Sequence, residues 1–305
     1  MKKTYHLCLS AGNEVLFRDR EDFNRGFNCF ALALYKTDST GLVESFMSNH
    51  FHLIVQTENP SAFMQAMRMP YSKYFNHKYS RTGILGNRHH FFLEIDGLYH
   101  TLAAMSYVLR NALHHGVASM PYGYPHSSVN SIFRQEMGKS NNEKLLSPRH
   151  IHRFIGKRTE YPSHYKMDVN GIFTRESVLD IPQVEHYYST PRAFDYYMNR
   201  KSGEEWEKEQ EKDKSCKQPV NLSIIETGNY LQTTEKMLAL ESGRGNYRRL
   251  SDTDLCTLID RQIISEYGKT SIYLLSLAEK KQIAERLYRQ HHAPAEQIKR
   301  CLVMP

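Results

Sequence analysis

Apolar and polar residues alternate along "KTYHLCLS" near the start of the chain, the period of a half-buried strand. In "REDFNRGFNCFALALYK" the apolar positions shift to spacings of three and four, which predicts a helix. "GLVESFMSNHFHLIVQ" reads as one or two strands, rich in β-branched and aromatic residues. Helical period returns in "SAFMQAMRMPYSKYFNHKYS", where Pro70 either kinks the helix or splits it. "RTGILGNRHHFFLEID" predicts a loop feeding an extended segment, and "LYHTLAAMSYVLRNALHHG" a helix stopped by Gly116. Strands and helices mixed without strict βαβ alternation predict an α+β fold: an antiparallel sheet with helices on one face.

Beyond this block the pattern loosens. Residues 1–137 read as the compact domain, 138–218 as a linker or accessory region, and 219–305 as a helical C-terminal module. In the middle section "GKSNNEKLLSP" is linker-like, "YKMDVNGIFTRES" predicts a hairpin around Asn170-Gly171, and "SGEEWEKEQEKDKSCKQP" a solvated charged helix or linker. The end carries three helical segments, "SDTDLCTLIDRQIISEYG", "SLAEKKQIAERLYRQHH" and "APAEQIKRCLVMP". Three short helices with a basic last one describe either a helix-turn-helix module or a small bundle that completes a core.

Composition narrows the function classes. The 305 residues are 40% hydrophobic, with no apolar run of membrane-spanning length, so no membrane partner is expected. The opening "MKKTYHLCLSAGN" lacks a sustained apolar core and reads as a first strand, not a secretory signal. Five scattered cysteines with no paired spacing argue against a disulfide framework or a structural zinc site. They point to a reduced, cytoplasmic setting. A net charge of +7 is compatible with a nucleic-acid partner, and 20 tyrosines and 16 histidines add groups suited to base stacking and phosphate chemistry.

The candidate chemistry begins in "SNHFHLIVQ". On a strand, residues two apart share a face, so His50, His52 and Ile54 point one way while Phe51, Leu53 and Val55 point into the core. Two imidazoles on a rigid strand are a preformed pair of metal ligands that needs a further protein donor. Alone, the pair equally describes two structural histidines near a sheet edge. A partner sits in "MSYVLRNALHHG", where Tyr107 and Asn111 are one helical turn apart. They offer a phenol and an amide oxygen aimed at one point. His114 and His115 read as cations favouring the end of that helix.

These stretches resemble a known family. "MSNHFHLIVQ" is similar to the histidine–hydrophobic–histidine (HUH) motif of single-tyrosine transposases. "YSKYFNHKYSRTGILGNRHHF" resembles their basic helix-and-loop segment, and "YVLRNALHHGVASMPYGYPHSSV" the segment bearing the nucleophile. The nearest likeness is to the REP-associated tyrosine transposases, over roughly residues 1–135. The chain departs from the usual pattern in two places. It has Asn111-Ala112 where an Asn-Pro is common, and "GNRHHF" where a Gln-Gly-Arg-Phe string is common.

The resemblance implies a ferredoxin-like, RRM-like HUH domain. It implies His50, His52 and Asn111 as ligands of a divalent metal, Mg²⁺ or Mn²⁺, and Tyr107 as the nucleophile. The implied substrate is single-stranded DNA beside a hairpin, cut through a 5′-phosphotyrosine intermediate. Lys73, Tyr74, His77, Lys78, Arg81 and Arg88 are the expected DNA contacts, combining backbone neutralisation with stacking. Tyr71, Tyr74 and Tyr79 are rival nucleophiles, but none has a side-chain amide four residues on. A homodimer and nucleoid association complete the expectation. The competing reading is a domesticated or inactive relative that binds DNA without cutting it.

Overall fold

The structure, a computed structural model, describes residues 1–139, 144–199 and 250–305. The alternating first segment forms β1 (Lys3–Ser10), and the helical period that follows forms α1 (Arg20–Lys36). Asp19 caps α1 by accepting from the Asp22 backbone N–H, while the Asp22 carboxylate reaches back to the cap backbone. The next stretch forms two strands, β2 (Thr40–Phe46) and β3 (His50–Thr57). Asn59 caps α2 (Pro60–Lys78), whose first residue is a proline with no N–H to orphan. Pro70 does not split α2: it lies on the exposed side of a helix that runs on to Lys78. β4 (Phe91–Ile95) closes the set.

The four strands lie in the order β2-β3-β1-β4, and every neighbouring pair is antiparallel. With α1 between β1 and β2, and α2 between β3 and β4, this is the split βαβ arrangement of ferredoxin-like folds. The α+β expectation therefore holds. α1 and α2 pack together on one face, where Phe30 meets both Phe63 of α2 and Phe46 of β2.

The opposite face is covered by α3 (Leu98–Leu109), in which every residue from His100 to Leu109 is buried. A helix apolar all round has neighbours on every side. On its far flank it meets α7 (Ile181–Tyr188), where the Ser106 and Tyr188 hydroxyls lie 2.9 Å apart. The single helix expected over 98–116 breaks at Arg110, whose backbone (φ −93°, ψ 3°) leaves the helical basin. A short α4 (Asn111–His114) follows, and Gly116 ends it at φ +63°.

Residues 144–199 pack onto this domain rather than standing apart. One apolar cluster runs from Leu7 to Met198. It includes α5 (Pro148–Ile155), α6 (Arg175–Val178), α7 and α8 (Pro191–Asn199). Arg175 pairs at 2.6 Å with Glu44, a carboxylate buried inside β2, and Leu179 forms a parallel bridge to Gly41 at the sheet edge. The hairpin expected around Asn170-Gly171 reduces to one antiparallel bridge, Met167 to Phe173. The Asp168 carboxylate holds its turn by accepting from the N–H groups of Asn170 and Ile172.

The charged stretch at 202–219 and the boundary placed at 218/219 lie outside the described residues. The helical C-terminal region is present. It comprises α9 (Asp252–Leu258), prolonged by a π turn at Ile259–Ile263, then α10 (Leu277–His291) and α11 (Ala295–Leu302). Its core is separate, except that Val15 from the β1–α1 loop belongs to it. The same loop sends in Arg18, fully buried, to Asp260 and to the Cys301 carbonyl. No helix among the described residues is long and apolar enough to cross a membrane.

Candidate active site

The strand register puts the chemistry on the α3 face. His52 lies opposite Cys8 of β1 and Ser45 of β2, and His50 lies opposite Ser10. Directly paired residues of an antiparallel sheet share a face, so His6, two residues before Cys8, joins them. α3 lays Tyr107 across this row. Its ring stands edge-on to His52 at 5.4 Å and to His6 at 6.1 Å, and stacks on His114 at 5.4 Å. The break at Arg110 then places Asn111 against the first histidine, with its Oδ1 3.1 Å from His50 Nε2.

His50 faces an oxygen at each ring nitrogen: Asn49 Oδ1 is 2.9 Å from Nδ1, opposite the Asn111 contact. Burial holds its pKa well below the ordinary imidazole value, and His115 adds to the effect, so the ring is neutral and has one N–H. Whichever nitrogen carries that proton, the other contact sets lone pair against lone pair. The Asn111 Nδ2 also has no hydrogen-bond partner among the described residues. With the proton on Nδ1, the lone pairs of His50 Nε2 and Asn111 Oδ1 converge and suit a cation; with it on Nε2, they form a hydrogen bond.

His52 is engaged differently. Its Nδ1 is 3.0 Å from His6 Nε2, and its Nε2 is 3.9 Å from Cys8 Sγ. Burial again depresses its pKa, with His6 contributing, and burial brings His6 itself down to about 3. His114 and His115 are not the helix-end cations that the sequence suggests. Burial of their side chains lowers them to about 3 and about 4. Among the described residues, no group of three or more His, Cys, Asp or Glu is gathered to hold a metal ion. The convergent donors here are an imidazole and an amide.

All four expected site residues are buried: His50 is 3% exposed, His52 1%, Tyr107 4% and Asn111 0%. The structure brings His50 and Asn111 into contact and places Tyr107 against His52. Sequence reasoning did not single out His6, Asn49, Cys8 or His115 as their neighbours. Asn49 stands next to His50 in the motif, and His6 alternates with Cys8 on β1, but only the strand register shows which residues meet.

The expected DNA contacts divide into two groups. Lys78 is drawn inward to Asp19 and Asp22, both at 2.9 Å, and to the Tyr74 hydroxyl. Asp22 is the largest influence raising its pKa against the opposing effect of burial. Tyr74 donates to Asp22, and Arg81 grips Glu14 through two contacts, at 2.7 and 2.9 Å. These three hold α2 and its following loop to the β1–α1 region. Lys73, His77 and Arg88 are exposed. α2 packs on the face opposite the histidines, so its basic stretch does not line the site.

Fold and site together define the class: a ferredoxin-like α+β domain with a buried imidazole, amide and phenol cluster between its sheet and α3. No protein-family model and no curated protein matches the chain. Among solved structures, a REP-associated tyrosine transposase bound to a REP hairpin is similar at a distance. The identity is 11% over 46% of this chain and 82% of that one, with a TM-score of 0.37.

Proposed function

We propose that this protein cuts and rejoins single-stranded DNA beside hairpins, with Tyr107 as the nucleophile. The observation that carries the reading is the approach of His50 Nε2 and Asn111 Oδ1 to 3.1 Å, with the Tyr107 ring edge-on to the neighbouring His52. His50, His52 and Asn111 hold a divalent ion in this reading. His52 serves through Nε2, since His6 occupies its Nδ1. Mg²⁺ or Mn²⁺ bound there would supply positive charge to polarise the scissile phosphate. Mixed imidazole and amide donors favour Mn²⁺ by binding strength, and cellular abundance favours Mg²⁺.

The Tyr107 hydroxyl oxygen bonds to phosphorus as the bond from phosphorus to the 3′ oxygen breaks. The phenol proton leaves to a base or to water, the departing oxygen ends as a free 3′-hydroxyl, and the 5′ phosphate stays on the tyrosine. Attack by a later 3′-hydroxyl reverses these steps and rejoins strands without ATP. A phenol with an ordinary pKa near ~10 needs a base or a nearby positive charge to ionise.

The test uses labelled hairpin oligonucleotides with single-stranded flanks, taken from the DNA around the gene, incubated with Mg²⁺ or Mn²⁺. A covalent protein–DNA adduct that requires His50, His52 and Tyr107 supports the reading. Cleavage at the wild-type rate by Tyr107→Phe contradicts it and points to a nuclease that uses water. The near-complete burial of all four side chains favours a second reading, in which the protein binds DNA without cutting it. Binding with no adduct, across both metals and several hairpins, supports that alternative.

A further inference from the structure

Arg68 of α2 is a half-buried cation with no carboxylate partner among the described residues. Its guanidinium instead donates to three backbone carbonyls of the loop before β4. Nη2 reaches Asn87 at 2.7 Å and Leu85 at 3.3 Å, and Nη1 reaches Arg88 at 3.3 Å. Burial lowers its pKa and no acidic group opposes that, whereas Lys78 and Arg81 both face carboxylates. A guanidinium keeps its proton in any setting, so an uncompensated positive charge stands under the loop. On its other side the loop is fixed to β1. The Asn87 N–H donates to the Ser10 carbonyl at 2.7 Å, and Gly86, at φ +73°, comes so close that a Cβ would lie 3.2 Å from the same oxygen. Ser10 is the strand partner of His50, and Phe91, where β4 begins, is the partner of Cys8 and meets the His6 ring at 6.0 Å. The loop therefore stands at the outer edge of the sheet, at the end that carries the histidines. With its carbonyls turned inward it leaves Arg88 and His89 exposed, and His90 half-buried with Nε2 unpartnered. None of the three meets a carboxylate among the described residues, since Lys3 takes Glu94 and Arg81 takes Glu14. Phe92 stays 49% exposed, with its ring 6.0 Å from that of His90. Cations without counter-charge beside an exposed aromatic ring suit a phosphate backbone with a base laid on the ring.

We infer that the 85–90 loop is a cationic rim that takes the phosphate backbone of a single strand passing to the site, and that Arg68 is the positioning residue that shapes it. The inference rests on the DNA reading given above. Of the contacts that the resemblance implies, Arg88 alone lies on this loop; Arg68, the two histidines and Phe92 are not among them. The backbone contacts then run along the outer edge of the sheet and not along α2.

The experiment follows binding of a fluorescent oligothymidine strand to the full chain by anisotropy, across a salt series in chelator. The slope of log affinity against log salt counts the phosphates neutralised, about 0.7 per contact on a single strand. Arg88→Ala should flatten the slope by about 0.7, whereas Lys281→Ala, the same charge loss on the exposed side of α10, should leave it as in wild type. Arg68→Lys keeps the charge but cannot span three carbonyls, so it should flatten the slope too, with a melting temperature close to wild type. Where Arg68→Lys fails to fold, the Arg88→Ala slope decides. An unchanged slope in Arg88→Ala overturns the rim, while adduct formation on hairpins still reports the tyrosine chemistry separately. Flattening in Arg88→Ala but not in a folded Arg68→Lys overturns the role of Arg68. Equal flattening in Lys281→Ala means diffuse charge and overturns the rim as well. No binding of oligothymidine or of hairpins by wild type overturns both this inference and the reading it rests on.

Discussion

Arg18 and Asp260 offer a test of how the C-terminal module is held, because the two partners sit in unlike surroundings. The Arg18 side chain is 0% exposed, whereas Asp260 keeps 21%. The guanidinium donates to both Asp260 oxygens at 2.7 and 2.8 Å and to the Cys301 carbonyl at 2.8 Å. Removing the carboxylate leaves a cation sealed from water, a defect of about 3–5 kcal/mol. Removing the cation instead leaves a carboxylate that water still reaches and one orphaned carbonyl, a loss of about 1–3 kcal/mol when Met fills the volume of the stem. Asp260→Ala should therefore destabilise the protein more than Arg18→Met does. The double variant should recover part of the Asp260→Ala loss, since no charge is then stranded. Urea unfolding, followed by circular dichroism and by proteolysis of the C-terminal module, measures all three. An Arg18→Met loss equal to or greater than that of Asp260→Ala would refute this account of the docking.

Four further outcomes follow from the geometry. His6→Phe keeps the volume of the ring but frees His52 Nδ1, so Mn²⁺ affinity should fall about tenfold with little change in melting temperature; unchanged affinity excludes a positioning role for His6. Burial lowers the folded pKa of His6 and of His126 to about 3, so the unfolded chain binds protons first as pH falls through about 6.5. Stability is then full above that pH and declines below it, by about 2 kcal/mol for His6 between pH 7 and 5; thermal melts in chelator that stay flat over this range contradict the sign. Gly26→Ala sets a methyl 2.5 Å from Phe17 Cε1 and should destabilise by about 1–3 kcal/mol in urea titrations, whereas a neutral result means the Phe17 ring yields. Lys73→Ala and His77→Ala, on the face away from the site, should leave the rate of adduct formation within about twofold even where DNA affinity drops; a rate loss matching that of His50→Ala places α2 at the chemistry.

The strands and the first helices were legible because one residue pattern dictates each. β1 and α1 match the quoted segments residue for residue, since period alone fixes them. The face assignment of His50 and His52 was equally legible, because a pleated strand alternates. The break at Arg110 was not: "SYVLRNALHH" is good helix throughout, and the interruption appears only where Asn111 turns toward a strand more than fifty residues earlier. The acidic partners of the basic residues were hidden for a related reason. Lys78 and Arg81 look like a cationic face until tertiary contacts bring Asp19, Asp22 and Glu14 to them. His115 read as a helix-end cation because its burial depends on elements distant in sequence.

The central claim is that Tyr107 carries the strand through the reaction. The most direct measurement is mass spectrometry of peptides from the protein trapped on its hairpin substrate in Mn²⁺. The account predicts one peptide bearing a nucleotide through its 5′ phosphate, with the attachment on Tyr107 and absent from Tyr107→Phe. Attachment to Tyr71, Tyr74 or Tyr79, or cut DNA with no modified peptide, would contradict it.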